Sequence, residues 1–180
     1  LRRRSLVETN RVNFGLQNVV MEYVTNRFVE GVCREIAIET NSTIQSHALI
    51  KAQSKDYIRY SQIRVILEPV ADILIATSDL ESIKNQLKNI LFIVRKTQSR
   101  NANYTVGNIL NLLCYLGCDI RGFDFSHLEV RQAYLQDANL QKTNFAYVDF
   151  SRSVFAKPFS RVMSVAFSPK KTLLATGNVS

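Results

Sequence analysis

From Cys118 to Lys157 the chain divides into eight blocks of five residues with no insertion: CDIRG, FDFSH, LEVRQ, AYLQD, ANLQK, TNFAY, VDFSR and SVFAK. The third residue of each block is Ile120, Phe125, Val130, Leu135, Leu140, Phe145, Phe150 or Phe155. The first is Cys118, Phe123, Leu128, Ala133, Ala138, Thr143, Val148 or Ser153. Residues five apart on an α-helix lie about 140° from one another, and on a strand they point to opposite faces, so neither element buries this set. A path that turns a corner every five residues does bury it, because each block becomes one short side with its first and third side chains inward. Four sides close a square coil, and successive coils stack at about 4.8 Å, the spacing of hydrogen-bonded strands. Eight blocks therefore predict two coils.

An amphipathic helix over VRQAYLQDANLQK is the competing reading of the middle blocks. ANLQK, and nearly so AYLQD, resembles the A-N/D-L-x-x unit of the pentapeptide-repeat family, which implies a right-handed four-sided β-helix over about 118–155. Two coils are short for a solenoid, whose ends need caps. The apolar helix ending at Gly117 is the expected N-terminal cap, and Phe145, Phe150 and Phe155 are expected to stack and stiffen the coil. Some members of the family mimic DNA through an acidic surface. Residues 118–155 carry five acidic and four basic side chains, so that activity is not expected here.

Upstream, RRSLVE and FGLQ flank a polar break, a hairpin pattern with Leu6, Phe14 and Leu16 as candidates for burial. The period then changes to that of an amphipathic helix, with Leu16, Val19, Val20, Tyr23, Val24, Phe28, Val32 and Ile36 on one stripe. The segment from Thr40 to Thr77 predicts two further helical pieces. A Ser or Thr near Thr43 supplies an N-cap, and Pro69 either kinks a helix or opens the next. Ser78 and Glu81 form a capping box ahead of Leu80, Ile83, Leu87, Ile90, Leu91 and Val94. TQSRNAN reads as a loop, and YTVGNILNLLCYLG as a nearly all-apolar helix stopped by Gly117.

After the blocks, RVMSVAF and TLLATG alternate as two strands around Ser168-Pro169. They resemble the opening of a WD repeat, with Lys170-Lys171 where the usual turn has Asp-Gly. Losing that Gly implies a strained turn or one of another type. The chain supplies half a blade, with an edge left unpaired. Because it begins with Leu and stops there, it is expected to be a piece of something longer. RRRSLVETNRVNFGLQNVVMEYVTNRFVE resembles the last hairpin and following helix of the winged-helix domain in NB-ARC-type signal-transducing NTPases, the STAND class. The order of modules looks like the middle of the large WD-repeat NTPases of cyanobacteria. The family's nucleotide-reading Met/Leu-His-Asp triplet corresponds to Leu16, Gln17 and Asn18, where the histidine is missing, so no nucleotide contact is assigned to Gln17. The expected fold is α+β in four parts. Residues 1–37 end a winged-helix domain, 38–117 form a helical linker, 118–157 form a two-coil pentapeptide β-helix, and 158–180 begin a WD blade.

A net charge of +8 raises nucleic acid, anionic membrane or an acidic partner as possibilities. Only Arg2-Arg3-Arg4 is a tight basic cluster, and no nucleic-acid-reading motif accompanies it, so neither a specific nucleic acid nor a membrane is expected as partner. Cys33, Cys114 and Cys118 are odd in number and set among apolar residues, which fits small core residues in a reducing, cytoplasmic compartment. The six glycines never form a phosphate-binding loop. Cys114, Cys118 and His127 are one ligand short of a zinc site. His47 reads as packing or surface, and Asp119, Asp124 and Asp149 as turn acceptors rather than catalytic acids. No catalytic, metal or cofactor residue is assigned, and no enzyme activity is expected. The expected role is a non-catalytic connector between an upstream NTPase switch and a downstream WD-repeat sensor, its partners being those neighbouring domains. The alternative is a stand-alone pentapeptide-repeat scaffold that binds other proteins.

Overall fold

The computed structural model describes residues 7–9, 14–97, 103–136, 138–155, 162–167 and 174–178, with side-chain surroundings described within 17–155. It is a mixed structure of helices and short strands. Strands β1 (Val7–Thr9) and β2 (Phe14–Leu16) pair antiparallel, Val7 facing Leu16. Leu6 lies outside the described residues, as do the surroundings of Phe14 and Leu16.

Helix α1 (Asn18–Ala37) follows directly. Only its second half is buried, through Val29, Val32, Cys33 and Ile36. The single apolar stripe expected from Leu16 onward is therefore corrected: Val19 is 77% exposed, and Tyr23 and Val24 also face outward. Amphipathic spacing shows which face is apolar, and a neighbour is still needed to cover it.

Helix α2 (Ser42–Ser46) is capped from a distance. The Glu35 carboxylate of α1 accepts hydrogen bonds from Thr43 N at 2.7 Å, Thr43 Oγ1 at 2.6 Å and Ile44 N at 3.2 Å. An acid from α1 replaces the local Ser or Thr cap, satisfying donors that a helix start leaves free. Helix α3 (Asp56–Gln62) runs through a π-helical turn (Ile63–Leu67) into α4 (Glu68–Thr77). Pro69 has no N–H, and its ring opposes the carbonyl four residues back, that of Val65. The wider turn, in which Glu68 N–H reaches Ile63 O, accommodates the ring without ending the helix.

Helix α5 (Leu80–Thr97) buries Ile83, Leu87, Ile90, Leu91 and Val94, while Leu80 is exposed. Its cap is Asp79, one residue beyond the expected Ser78: Ser82 N and Oγ donate to the two Asp79 carboxylate oxygens at 2.9 and 2.6 Å. Glu81 pairs with Lys84 at 2.9 Å instead of closing a capping box. Helix α6 (Thr105–Tyr115) is buried on every side from Thr105 to Leu113. It ends in a Schellman motif: Gly117 sits at φ +63°, Cys118 N donates to Leu113 O, and Gly117 N donates to Cys114 O.

Beyond Cys118 the chain folds back over itself every twenty residues. Strand β3 (Glu129–Arg131) pairs parallel with β4 (Asp149–Ser151), Val130 opposite Phe150, and single bridges join Asp124 to Asn144 and Tyr134 to Val154. Four blocks thus form a first layer and the next four a second, and the helical alternative over 130–142 is excluded. Strands β5 (Val162–Phe167) and β6 (Leu174–Asn178) form an antiparallel hairpin. The turn carrying Lys170-Lys171 lies outside the described residues.

Candidate functional site at the junction of helices and layers

The five-residue period has a backbone cause. Each described block ends on a residue with positive φ: Gly122 at 79°, His127 at 58°, Gln132 at 59°, Lys142 at 58°, Tyr147 at 57° and Arg152 at 54°. At most corners the first N–H of the next block donates to the third carbonyl of the block before, as Phe123 to Ile120 O at 3.1 Å, Leu128 to Phe125 O at 3.2 Å and Val148 to Phe145 O at 3.3 Å, while Ala133 N donates to Ser153 Oγ at 3.1 Å. These are four-residue turns with a left-handed third residue, the position at which a type II turn favours Gly or Asn. The second residue of several blocks supports the corner by accepting from the fourth: Arg121 N to Asp119 at 3.0 Å, Ser126 N to Asp124 at 2.9 Å and Ala146 N to Asn144 at 3.0 Å. Asp119 and Asp124 are turn acceptors. Hydrogen bonds from Arg121 hold the exposed Asp119 carboxyl down to about 2, and those from Ser126 lower Asp124.

In the first layer Ile120, Phe123, Phe125, Leu128, Val130, Ala133 and Leu135 are buried, and Cys118 is half-buried. In the second layer Ala138, Leu140, Thr143, Phe145, Val148, Phe150 and Ser153 are half-buried, and Phe155 is 46% exposed. Phe125 stacks on Phe145 at 5.3 Å across the layers, whereas Phe145, Phe150 and Phe155 meet one another tilted or edge-on. The aromatic stack thus runs between layers rather than along the second one. Thr143 and Ser153 hydroxyls reach up to the carbonyls of Ile120 and Val130, both at 3.1 Å.

The helices meet the first layer through a buried polar cluster that pattern reading did not find. On α6, Asn108 and Asn111 are one turn apart. Asn108 Nδ2 donates to the carbonyls of Ile44 and His47 at 2.8 Å, and its Oδ1 accepts from Leu49 N at 2.9 Å. Asn111 Nδ2 donates to Gln132 O at 2.9 Å, and its Oδ1 accepts from Tyr134 N at 2.8 Å. Gln132 Oε1 in turn accepts from Ala52 N at 2.7 Å. Arg59, 6% exposed, donates to the carbonyls of Ala52 and Ser54 and to Asp56, and lies 4.1 Å over the Tyr134 ring. Asn108, Asn111, Gln132 and Arg59 are all buried, and each would destabilise the fold without its partners. Gly107 is part of the same contact: a Cβ there would stand 1.7 Å from Arg131 O, so α6 and β3 approach backbone to backbone. On the outer side Arg95 of α5 pairs with Asp124 at 3.3 Å and donates to its carbonyl at 2.8 Å.

The histidines have structural surroundings. His47 lies against Phe28, ring centroids 5.7 Å apart, and His127 stacks on Tyr147 at 4.9 Å. Burial pushes the Cys33 and Cys114 thiols up to about 11 and raises Cys118, so these groups stay protonated at neutral pH. Cys114 and Cys118 line a shallow cleft with Gly117, Asp119, Arg121 and Asn139, while His127 faces Tyr147. Leu16 closes β2, Gln17 precedes α1, and Asn18 is its first residue.

A family model described as pentapeptide repeats (8 copies) matches residues 133–157. The match starts on the first residue of a block, and the preceding three blocks fold in the same register. The chain is also 40% identical over 210 residues to a WD repeat-containing protein of Nostoc sp. (strain PCC 7120), a match covering 98% of this chain and 17% of that protein. No solved structure matches. The chain therefore spans about a sixth of the length of this cyanobacterial relative. No described helix is long and apolar enough to cross a membrane.

Proposed function

We propose that this segment is a non-catalytic connector in a longer signal-transducing NTPase of the STAND class, joining a nucleotide switch upstream to a WD-repeat sensor downstream. The observation that carries this reading is the buried cluster of Asn111, Gln132 and Arg59, which ties the helices to the first layer through Gln132 and Tyr134. A displacement at one end of a unit so tied is delivered to the other without being absorbed by a soft joint. The two layers continue the helical array as a right-handed β-helix, and β5 and β6 open a propeller blade. Similarity to the Nostoc protein supports the downstream part, because that protein is WD repeat-containing and aligns with nearly the whole chain.

The coding sequence on either side is the first test. An in-frame phosphate-binding loop upstream and WD repeats downstream are expected, and a start codon just before Leu1 would sink the proposal. In the full-length polypeptide, deleting the WD repeats is expected to change the nucleotide hydrolysis rate. A short Gly-Ser insertion between Gly117 and Cys118 should reproduce that change. An insertion without effect would favour a stand-alone scaffold binding other proteins through the layers.

A further inference from the structure

Helix α5 carries a row of side chains that its packing does not use. Lys88, Phe92 and Lys96 stand four residues apart, so they follow one another along one side of the helix, about 12 Å from first to last. All three are exposed, Phe92 at 56%. Aromatic rings hold both ammonium groups: Lys96 Nζ lies 4.2 Å from the ring centre of Phe92, and Lys88 Nζ 4.9 Å from that of Phe123 in the first layer. Each contact lays a lysine against a ring face while the charged head keeps a side toward water.

Between α5 and the first layer, Lys88 and Phe92 border a cavity of about 140 Å³ whose apolar lining includes the buried Leu91 and Phe123. Gly122, at φ +79°, leaves its corner open, since a Cβ there would meet no atom within 4 Å. A cavity of about 150 Å³ takes a benzene-sized group, so this one has room for one apolar side chain. The acid on its rim, Asp124, is already engaged: it pairs with Arg95 at 3.3 Å and accepts from Ser126 N and Asn144 Nδ2 at 2.9 Å. Lys88 and Lys96 form no ion pair among the described residues. The exposed Lys142 adds a third cation at the neighbouring corner, where its carbonyl accepts from Gly122 N at 3.0 Å. The stretches outside the described residues contain a single acid, Asp137, so the counter-charge comes from a partner.

We infer that the groove between α5 and the first layer is a docking site for an acidic protein segment, bound in extended form. One apolar side chain of that segment enters the cavity, and carboxylates two residues to either side meet Lys88 and Lys96. In an extended chain such positions share a face and span about 13 Å, close to the length of the lysine row. Single-stranded nucleic acid fits the same surface less well, because it needs a continuous basic track with rings for successive bases. Here two cations flank one pocket, and Phe123 is buried with Lys88 over its ring. The apolar anchor supplies most of the affinity, and the charges at the rim select the partner. The site does not depend on the connector reading; a stand-alone scaffold would carry it equally.

The test titrates the whole 180-residue chain with the peptide GESLSEG and follows backbone amides by NMR. Saturable shifts confined to residues 88–96 and 121–124 are expected; no shift there, or shifts centred elsewhere, overturns the proposal. Replacing both glutamates of the peptide by lysine should abolish the shifts, and replacing its leucine by serine should weaken binding at least about threefold. Binding indifferent to either change overturns it. In the protein, Lys88→Glu combined with Lys96→Glu should weaken binding at least about fivefold, against less than about twofold for Lys55→Glu, at the exposed residue before α3. Equal losses in the two proteins would report unspecific attraction to a basic chain and overturn it. So would an oligothymidine that moves the same amides at a lower concentration than the peptide, or shifts that grow with protein concentration alone and so report a second copy in the groove.

Discussion

The two layers are written in the same five-residue code and share their corners, yet the first is dry and the second half-wet. Val130 and Phe150 face one another in the ladder; the first is fully buried and the second is not. The repeat therefore specifies shape, and burial is supplied by whatever lies on the next level. For the first layer that neighbour is α6, brought to backbone contact by Gly107 and tied by Asn111.

The sharpest way to break this comparison is one charge placed at equivalent third positions. Leu135→Asp should cost about 4 kcal/mol or more, because an unpaired carboxylate enters a sealed core, and should abolish the cooperative melt. Leu140→Asp should cost about 1–2 kcal/mol, with the helices still melting together. Equal costs, measured by urea denaturation, would show that the layers are not distinguished by their neighbours. Next comes the contact that makes the first layer different. Gly107→Ala should destabilise by about 1–3 kcal/mol, since α6 and β3 must part to admit the methyl. Its loss should appear as faster amide exchange at residues 129–135 ahead of the second layer.

A smaller effect of opposite sign is expected at the corners. Lys142 is exposed at φ 58°, where a Cβ is disfavoured, so Lys142→Gly should stabilise by about 0.5 kcal/mol after the entropic cost of glycine, read as a modest rise in Tm. The smallest effect concerns acid. Asp119 has its folded value depressed to about 2, so what it contributes is present above its ordinary value near 3.8 and is lost as pH falls through about 2. A carboxyl titration followed by NMR should place Asp119 near that lower value. Arg121→Gln should bring it back up, and because the pair is exposed, Tm should change little.

What could be read from the residues was what repeats or what is local. The period of five gave the layers, the spacing from Ile83 to Val94 gave α5, and Gly117 stopped α6 as its position required. What escaped reading depends on distant partners. Glu35 caps α2 from the neighbouring helix, so no Ser or Thr beside Thr43 was needed. Asp79 took the cap that Ser78 was expected to fill, since either side chain suits an N-cap and only the backbone path decides between them. The junction was the least legible part. Asn108, Asn111 and Gln132 look like interruptions in apolar or polar runs until their partners, 21 to 80 residues away, are brought beside them. The exposed half of α1 shows the same limit from the other side, an apolar face whose cover no local pattern identifies.

The twenty-residue return also changes what it means for two residues to be neighbours on this surface. His127 lies against Tyr147, with ring centroids 4.9 Å apart, and both are outward-facing corner residues. A partner touching that spot would be read by a linear mutational scan as two unrelated hits on opposite sides of a silent stretch. Scanning in columns, with positions 122 and 142 or 127 and 147 changed together, samples the surface in the order in which a bound protein meets it.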